Sequence, residues 1–329
     1  MKLSLAIAAF LLDKRIAGCS PNTLRNYTLH LQRLRDHLEG DPDLAAITAE
    51  QLKSFLNALM TARIAPRGVA PRPARQLSAK TIQNVHTCLC SLWTWALKEG
   101  HAQQHLPRAI DVAAPERPVV EPFTKEQIQE LLGATTHSAT WERLPETATE
   151  LPRERQFRDK AIILFLLDTG VRAGELCQLD VGDLDLSAGH AMVRSKGRLN
   201  SGEGKARPIC FSPTTIRALH RYLAERKALG DRNAARPLFA TRVGRRFDRR
   251  YLAKHLRRLG RRAGVKDVHT HRFRHTFAIN YLRNGGDVYT LQDLLGHTSL
   301  DMVRRYLHLA QVDVDSAHRR ASPVENWRL

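Results

Sequence analysis

The stretch from 269 to 309 constrains this chain more than any other. It contains His269-Thr-His-Arg-Phe-Arg-His-Thr-Phe-Ala278, Leu294-Leu-Gly-His297 and Arg304-Arg-Tyr-Leu-His308. Val288, Leu291, Leu294 and Leu295 form one apolar stripe at helical spacing, and Gly296 directly after them predicts a left-handed C-terminal cap. His297 then falls on the turn, Ser299 can cap the next helix, and Tyr306 lies about two turns into it. His271 and Arg274 stand three apart and share one face of the preceding helix. Helix, turn and helix fold a tyrosine back toward a histidine–arginine pair. Such a set of groups can converge on a single phosphate.

The rest of the chain favours a polyanion as partner. Its 329 residues suffice for two cores. Lysine and arginine number 52 against 33 acidic residues, a net charge of +19, and nucleic acid is the commonest partner for so basic a protein. Part of the excess is concentrated. Arg242, Arg245 and Arg246 precede a helix that Asp248 can cap, with Leu252, Leu256 and Leu259 inward and Arg249, Arg250, Lys254, Arg257, Arg258, Arg261 and Arg262 on its other faces. Arg245, Arg246, Arg249, Arg250, Arg257 and Arg258 are the candidates for contact with DNA phosphates. The five cysteines (Cys19, Cys88, Cys90, Cys177, Cys210) have no zinc or redox spacing, which predicts reduced thiols in a cytoplasmic protein without metal. Leu3–Leu12 followed by Ile16-Ala-Gly-Cys19 imitates a lipoprotein signal. Asp13, Lys14 and Arg15 interrupt it, however, and Leu3, Ile7, Phe10, Leu11 and Lys14 fit an amphipathic helix instead. No stretch approaches the ~20 apolar residues of a membrane span.

Residues 1–112 predict a compact domain of short helices. Ser20-Pro21 starts one whose inner stripe is Leu24, Tyr27, Leu31, Leu34 and Leu38. Thr48-Ala-Glu-Gln51 is a capping box, and Ser78 caps a helix carrying Ile82, Val85, Leu89, Leu92, Trp93 and Ala96 inward. An arginine-bearing loop spans 62–77. Residues 113–122, with three prolines, predict a linker. A second domain then covers 123–329. It opens on the capping box Thr124-Lys-Glu-Gln127, continues through a polar insertion at 134–157, and has an apolar helix from Arg158 to Leu167. Short strands at 191–195 and 207–211 flank a Gly- and Lys-rich turn and predict a small antiparallel sheet. Ser212-Pro213 begins a further helix.

Breaking a phosphodiester without metal or cofactor requires a nucleophile, fixed positive charge on the non-bridging oxygens, and an acid for the departing oxygen. A tyrosine serves as nucleophile when nearby arginines lower its pKa from about 10. Arginine clamps phosphate with two parallel bonds and keeps its charge. Histidine donates a bond or moves a proton, and lysine can protonate the leaving oxygen.

His271-Arg-Phe-Arg274, Leu294-Leu-Gly-His297 and Tyr306 match, in order and spacing, the C-terminal motifs of the tyrosine recombinases, the phage-integrase and Xer-type site-specific recombinases. The upstream family motif stands here as Thr169-Gly-Val-Arg172-Ala-Gly-Glu175-Leu176. Residues 20–38 and 78–107 also resemble the family's helical core-binding domain, so the likeness spans nearly the whole chain. It implies a DNA breaking-rejoining enzyme fold: an all-α, SAM-like core-binding domain and a mainly α catalytic domain with a small antiparallel sheet, together a C-shaped clamp on duplex DNA. It implies that Tyr306 is the nucleophile and leaves a 3′-phosphotyrosyl bond, that Arg172 and Arg274 clamp the phosphate, that His271 and His297 bond its oxygens or move a proton, and that Glu175 supports them. The family's lysine lies on the turn between two strands, where Lys196 fits best and Lys205 competes. His275 is expected to be a packed or supporting residue.

The resemblance further implies a homotetramer on two DNA recombination sites, a Holliday junction, and no need for ATP or metal. A C-terminal tail with Val312, Val314 and Trp327 would dock on a neighbouring subunit. The helices beginning near residue 1 suggest a Xer-like architecture without an additional arm-binding domain. Two other readings stay open: a nicking-closing enzyme of type IB topoisomerase kind, and a non-catalytic DNA-binding protein on the same fold.

Overall fold

The computed structural model describes residues 1–64, 74–115, 120–136, 156–194, 206–228, 237–241, 244–296, 300, 303–304, 306–307, 318 and 322–327. Two compact units emerge, one within 1–118 and the other from 119 onward.

The first unit contains α1 (Leu3–Ile16), α2 (Pro21–Leu38), α3 (Ala49–Thr61) and α4 (Ala79–Lys98). The expected caps are present. Ser20 Oγ accepts from the Thr23 amide at 3.2 Å and Ser78 Oγ from the Thr81 amide at 3.3 Å, while Thr48 and Gln51 form the reciprocal capping box. α1 is an amphipathic helix, with Leu3, Ala6, Ile7 and Phe10 buried. Phe10 meets the edges of Tyr27 and Trp95, with ring centroids 5.1 and 6.0 Å away. Burial of one such side chain stabilises by about 2–3 kcal/mol. The loop predicted at 62–77 is closed at its base by a two-residue hairpin. There β1 (Arg63–Ile64) pairs antiparallel with β2 (Arg75–Gln76).

In the second unit, α5 (Lys125–Gly133) opens on the Thr124–Gln127 capping box. α6 (Gln156–Thr169) is the helix around which the unit is built. Ala161, Ile162, Ile163, Phe165 and Leu166 are fully buried, because α8 (Pro213–Ala228) and α10 (Thr270–Arg283) pack on it. A helix apolar on all sides is stable only in such a position. α7 (Ala173–Gln178) leads into a three-stranded antiparallel sheet of β3 (Leu184–Asp185), β4 (His190–Arg194) and β5 (Ala206–Cys210). The sequence signalled only β4 and β5; β3 is two residues long, too short for a periodic pattern. Ala191 and Val193 are buried on β4, as is Ile209 on β5. α9 (Arg249–Arg262) is capped by Asp248, whose carboxylate accepts from the Tyr251 amide at 2.6 Å, and buries Leu252, Leu256 and Leu259. α10 and α11 (Val288–Leu295) share a satellite core with Val303 and Tyr306. A short helix, Pro323–Trp327, follows near the C-terminus, with Trp327 exposed. Most of the insertion predicted at 134–157, together with Arg242, Val312 and Val314, lies outside the described residues.

Among the described residues no helix is long and apolar enough to cross a membrane.

Candidate active site

Three elements deliver the cationic groups, the N-terminus of α7, strand β5 and α10, and the C-terminal turn of α11 receives them on its carbonyls. Gly170 begins the arrangement. It leaves α6 at φ +59, and a Cβ there would stand 2.5 Å from the Phe277 ring and 3.0 Å from Leu295, so both conformation and space demand glycine. The turn buries Val171 and places Arg172 at the N-cap of α7.

Glu175, one turn into α7 and nearly buried, accepts from the Arg172 backbone amide at 2.9 Å and from its Nη1 at 3.0 Å. Arg207 of β5 then grips the same carboxylate with both Nη atoms, each at 2.9 Å. Burial alone raises the carboxyl's pKa, but the bonds from Arg207 and Arg172 and their charges outweigh it and hold Glu175 below the usual carboxylate range.

α10 is capped by His269, whose Nδ1 accepts from the Arg272 amide at 3.2 Å. The two arginines of the motif then diverge. Arg272 turns inward, lies 4.0 Å over the Phe123 ring, and donates to the carbonyls of Glu121 and Lys266 and to Gln127. It is a structural tie. Arg274 points to the site, donating to Gly170 O at 2.8 Å and Leu295 O at 2.6 Å. Burial, with the neighbouring Arg172, lowers its pKa to about 10, which still leaves it charged at neutral pH. His271 keeps an exposed edge one turn away. Partial enclosure by protein, followed by the charges of Arg274 and Arg172, holds its pKa below 6.5.

The end of α11 gathers these groups. Gly296 adopts the left-handed cap at φ +61. The last carbonyls of a helix lack intrahelical partners and carry the negative end of its dipole. Here Leu294 O accepts from Arg207 Nε at 3.0 Å, Leu295 O from Arg274, and Gly296 O from Arg172 Nη2 at 3.0 Å. Three guanidinium groups from three elements are thus fixed by three successive carbonyls.

Tyr306 is buried against this satellite core, its ring 5.3 Å from that of His275. It lies close enough to Arg274 to act on that group's charge. Arg172, Glu175, Arg274 and Tyr306 are therefore brought together. His271 borders the cluster, and His275 packs on the tyrosine. His297, Lys196 and Lys205 lie outside the described residues.

Arg207 was not among the residues singled out from sequence. Its signal was the period-two pattern of β5, which sets Arg207 on the same face as buried Ile209. An inward arginine on a strand implies a buried anion. The basic helix α9 is divided in its uses. Arg250 and Arg257 are exposed, and Arg257 donates to Ala253 O of its own helix. Arg245 is exposed, and Arg258 is exposed while touching His255 Nδ1 at 3.3 Å. Arg246 is committed internally, to Asp180 at 2.5 Å and to the carbonyls of Cys177 and Leu179. Arg249 lies across Gly174, where a Cβ would meet its Nη2 at 2.8 Å. Among the described residues no three metal-ligating side chains cluster.

The Phage integrase family model matches residues 123–312. A tyrosine recombinase XerC of Xanthomonas axonopodis pv. citri is 32% identical, the match covering 77% of this chain and 76% of that one. A tyrosine recombinase XerC of Roseiflexus castenholzii is 28% identical, over 97% and 92%. Among solved structures, the Tn1549 transposon integrase with transposon right end DNA shares the fold at TM-score 0.72 and 19% identity, covering 98% of this chain and 100% of that one. XerH bound to difH substrate in a pre-cleavage complex shares it at TM-score 0.66 and 20% identity, over 96% and 94%.

Proposed function

The chain belongs to the phage integrase family of tyrosine recombinases, DNA strand-transferring enzymes, and we propose that it cleaves and rejoins a specific duplex site through Tyr306. The observation that carries this is the trio of arginines fixed on the end of α11 beside a tyrosine. Tyr306 Oη attacks the scissile phosphorus while Arg172 and Arg274 bind the non-bridging oxygens. His271 and His297 donate further bonds or carry the phenolic proton. The bond from phosphorus to the 5′ oxygen breaks, and a lysine on the β4–β5 connection, Lys196 or Lys205, protonates that oxygen. A 3′-phosphotyrosyl bond and a free 5′-hydroxyl result. The ester keeps the energy of the original phosphodiester, so a 5′-hydroxyl from another strand can displace Tyr306 without ATP or metal.

Residues 1–112 serve as the core-binding domain, 113–122 as the tether and 123–329 as the catalytic domain, with exposed Arg245, Arg250, Arg257 and Arg258 on backbone phosphates. The protein works in the cytoplasm as four protomers on two sites and exchanges strands through a Holliday junction. Selection of bound duplexes from a random library yields the site, and a plasmid with two copies of it tests the reaction. Excision or inversion requiring both copies is expected. Relaxation of supercoils irrespective of sequence would assign a nicking-closing enzyme instead.

A further inference from the structure

We propose that Arg207 is a positioning residue that keeps the charge of Arg172 available to the DNA phosphate by neutralising Glu175. The inference rests on the function proposed above and concerns how the same site is held. Glu175 is nearly buried, and it touches Arg172 through one oxygen on the side chain and the other on the backbone. Left with Arg172 alone, the carboxylate would draw that guanidinium into a two-pronged pair, the geometry arginine and carboxylate prefer. A phosphate would then compete with a buried anion for the same donors.

Arg207 prevents this. Its two Nη atoms occupy both carboxylate oxygens at 2.9 Å, and its Nε is anchored on Leu294 O at 3.0 Å. The side chain is largely buried, 13% exposed, so DNA has little access to it. Gly296 leaves the room it needs, since a Cβ there would stand 3.2 Å from Arg207 Nε. Three guanidinium groups against one carboxylate leave a surplus of positive charge at the site. Without Arg207 that surplus is halved, and the remaining carboxylate faces Arg172. Arg207 also joins β5, α7 and α11 at one point, so Arg172 and the Gly296 cap share one frame.

The test is single-turnover cleavage of a nicked duplex site by wild type and Arg207→Met, on an ordinary scissile phosphate and on a methylphosphonate, which has no negative charge. DNA affinity is measured in parallel. Adduct formation by wild type establishes the reading on which the inference rests; its absence would remove that reading and not bear on Arg207. Given a wild-type adduct, Arg207→Met is expected to cleave the ordinary phosphate about 100-fold more slowly with affinity little changed. On the neutral phosphate the gap should shrink to about 10-fold or less, because the charge that Arg207 protects is no longer required. Should Arg207→Met fail to fold, Arg207→Lys carries the same comparison: it keeps one charge and loses the two-pronged grip, and its smaller defect should shrink on the neutral phosphate as well. Cleavage at the wild-type rate, or a defect equal on both phosphates, would overturn the proposal.

Discussion

Arg172 and Arg274 donate to consecutive backbone carbonyls, Gly296 at 3.0 Å and Leu295 at 2.6 Å. Two like charges that would otherwise repel are held side by side by the negative end of one helix. In the proposed reaction this arrangement is pre-organised electrostatics: the donors stand in place before substrate arrives and would need no rearrangement as charge develops on phosphate. Arg172→Lys keeps the charge, loses the planar fork and cannot hold Gly296 O and Glu175 together, while Glu175 keeps Arg207 and the backbone amide of residue 172. It should slow single-turnover cleavage by about 100-fold while DNA affinity changes little. An equal loss in affinity would mean that Arg172 binds DNA generally and does not act on the scissile phosphate.

Gly170→Ala tests the turn that aims Arg172. The substitution meets both a φ of +59 and a contact of 2.5 Å with Phe277. The expected cost is about 1–3 kcal/mol, seen as a lower Tm, with cleavage reduced further than stability accounts for. Unchanged Tm would show that the backbone relaxes freely at this point.

The pH dependence follows from His271. Its pKa in the free protein lies below 6.5, through partial burial and the charges of Arg274 and Arg172. A phosphate anion beside it raises that value, so the DNA complex binds more protons than the free protein. Affinity should therefore fall as pH rises from the free value through the bound value, and level off below the free one. In His271→Asn that part of the dependence should vanish. Glu175 acts on stability in the opposite direction. Its depressed folded value means its contribution is complete above its ordinary 4.5 and is lost as pH falls through the lower folded value.

Salt dependence separates the roles of neighbouring arginines. Arg250→Ala removes an exposed charge and should lower the slope of log affinity against log salt by about 1. Arg246→Ala should leave the slope nearly unchanged and lower stability by about 1 kcal/mol, because its bonds go to Asp180, Cys177 and Leu179. Equal slopes for both variants would place the DNA contact elsewhere.

Removal of residues 315–329 takes away the helix Pro323–Trp327 with its exposed Val324 and Trp327. The truncated protein should bind a single site normally and fail to bring two sites together, as band shifts with one and two sites would reveal. Recombination at the full rate would show that this tail has no part in assembly.

Local rules made much of this visible in the sequence. The caps at Ser20, Thr48, Ser78, Thr124 and Asp248, and the glycine ending α11, are short-range hydrogen-bond patterns that residue type determines. The grouping of Arg172, Glu175, Arg274 and Tyr306 was legible through motif spacing. What escaped depends on distance along the chain. Arg207 meets Glu175 across 32 positions and Leu294 across 87, and no periodicity encodes such a pairing. The commitment of Arg246 to Asp180, 66 positions away, was hidden for the same reason among look-alike basic residues. β3 was missed because two residues carry no alternation.

The proposed mechanism requires that the Tyr306 oxygen become bonded to DNA phosphorus. The direct measurement is incubation with a nicked suicide duplex of the selected site, followed by denaturation, proteolysis and mass spectrometry of any nucleotide-bearing peptide. Wild type should give a 3′-phosphonucleotide on the peptide containing Tyr306, and Tyr306→Phe should give none. An adduct that persists in Tyr306→Phe, or that maps to another side chain, would contradict the mechanism.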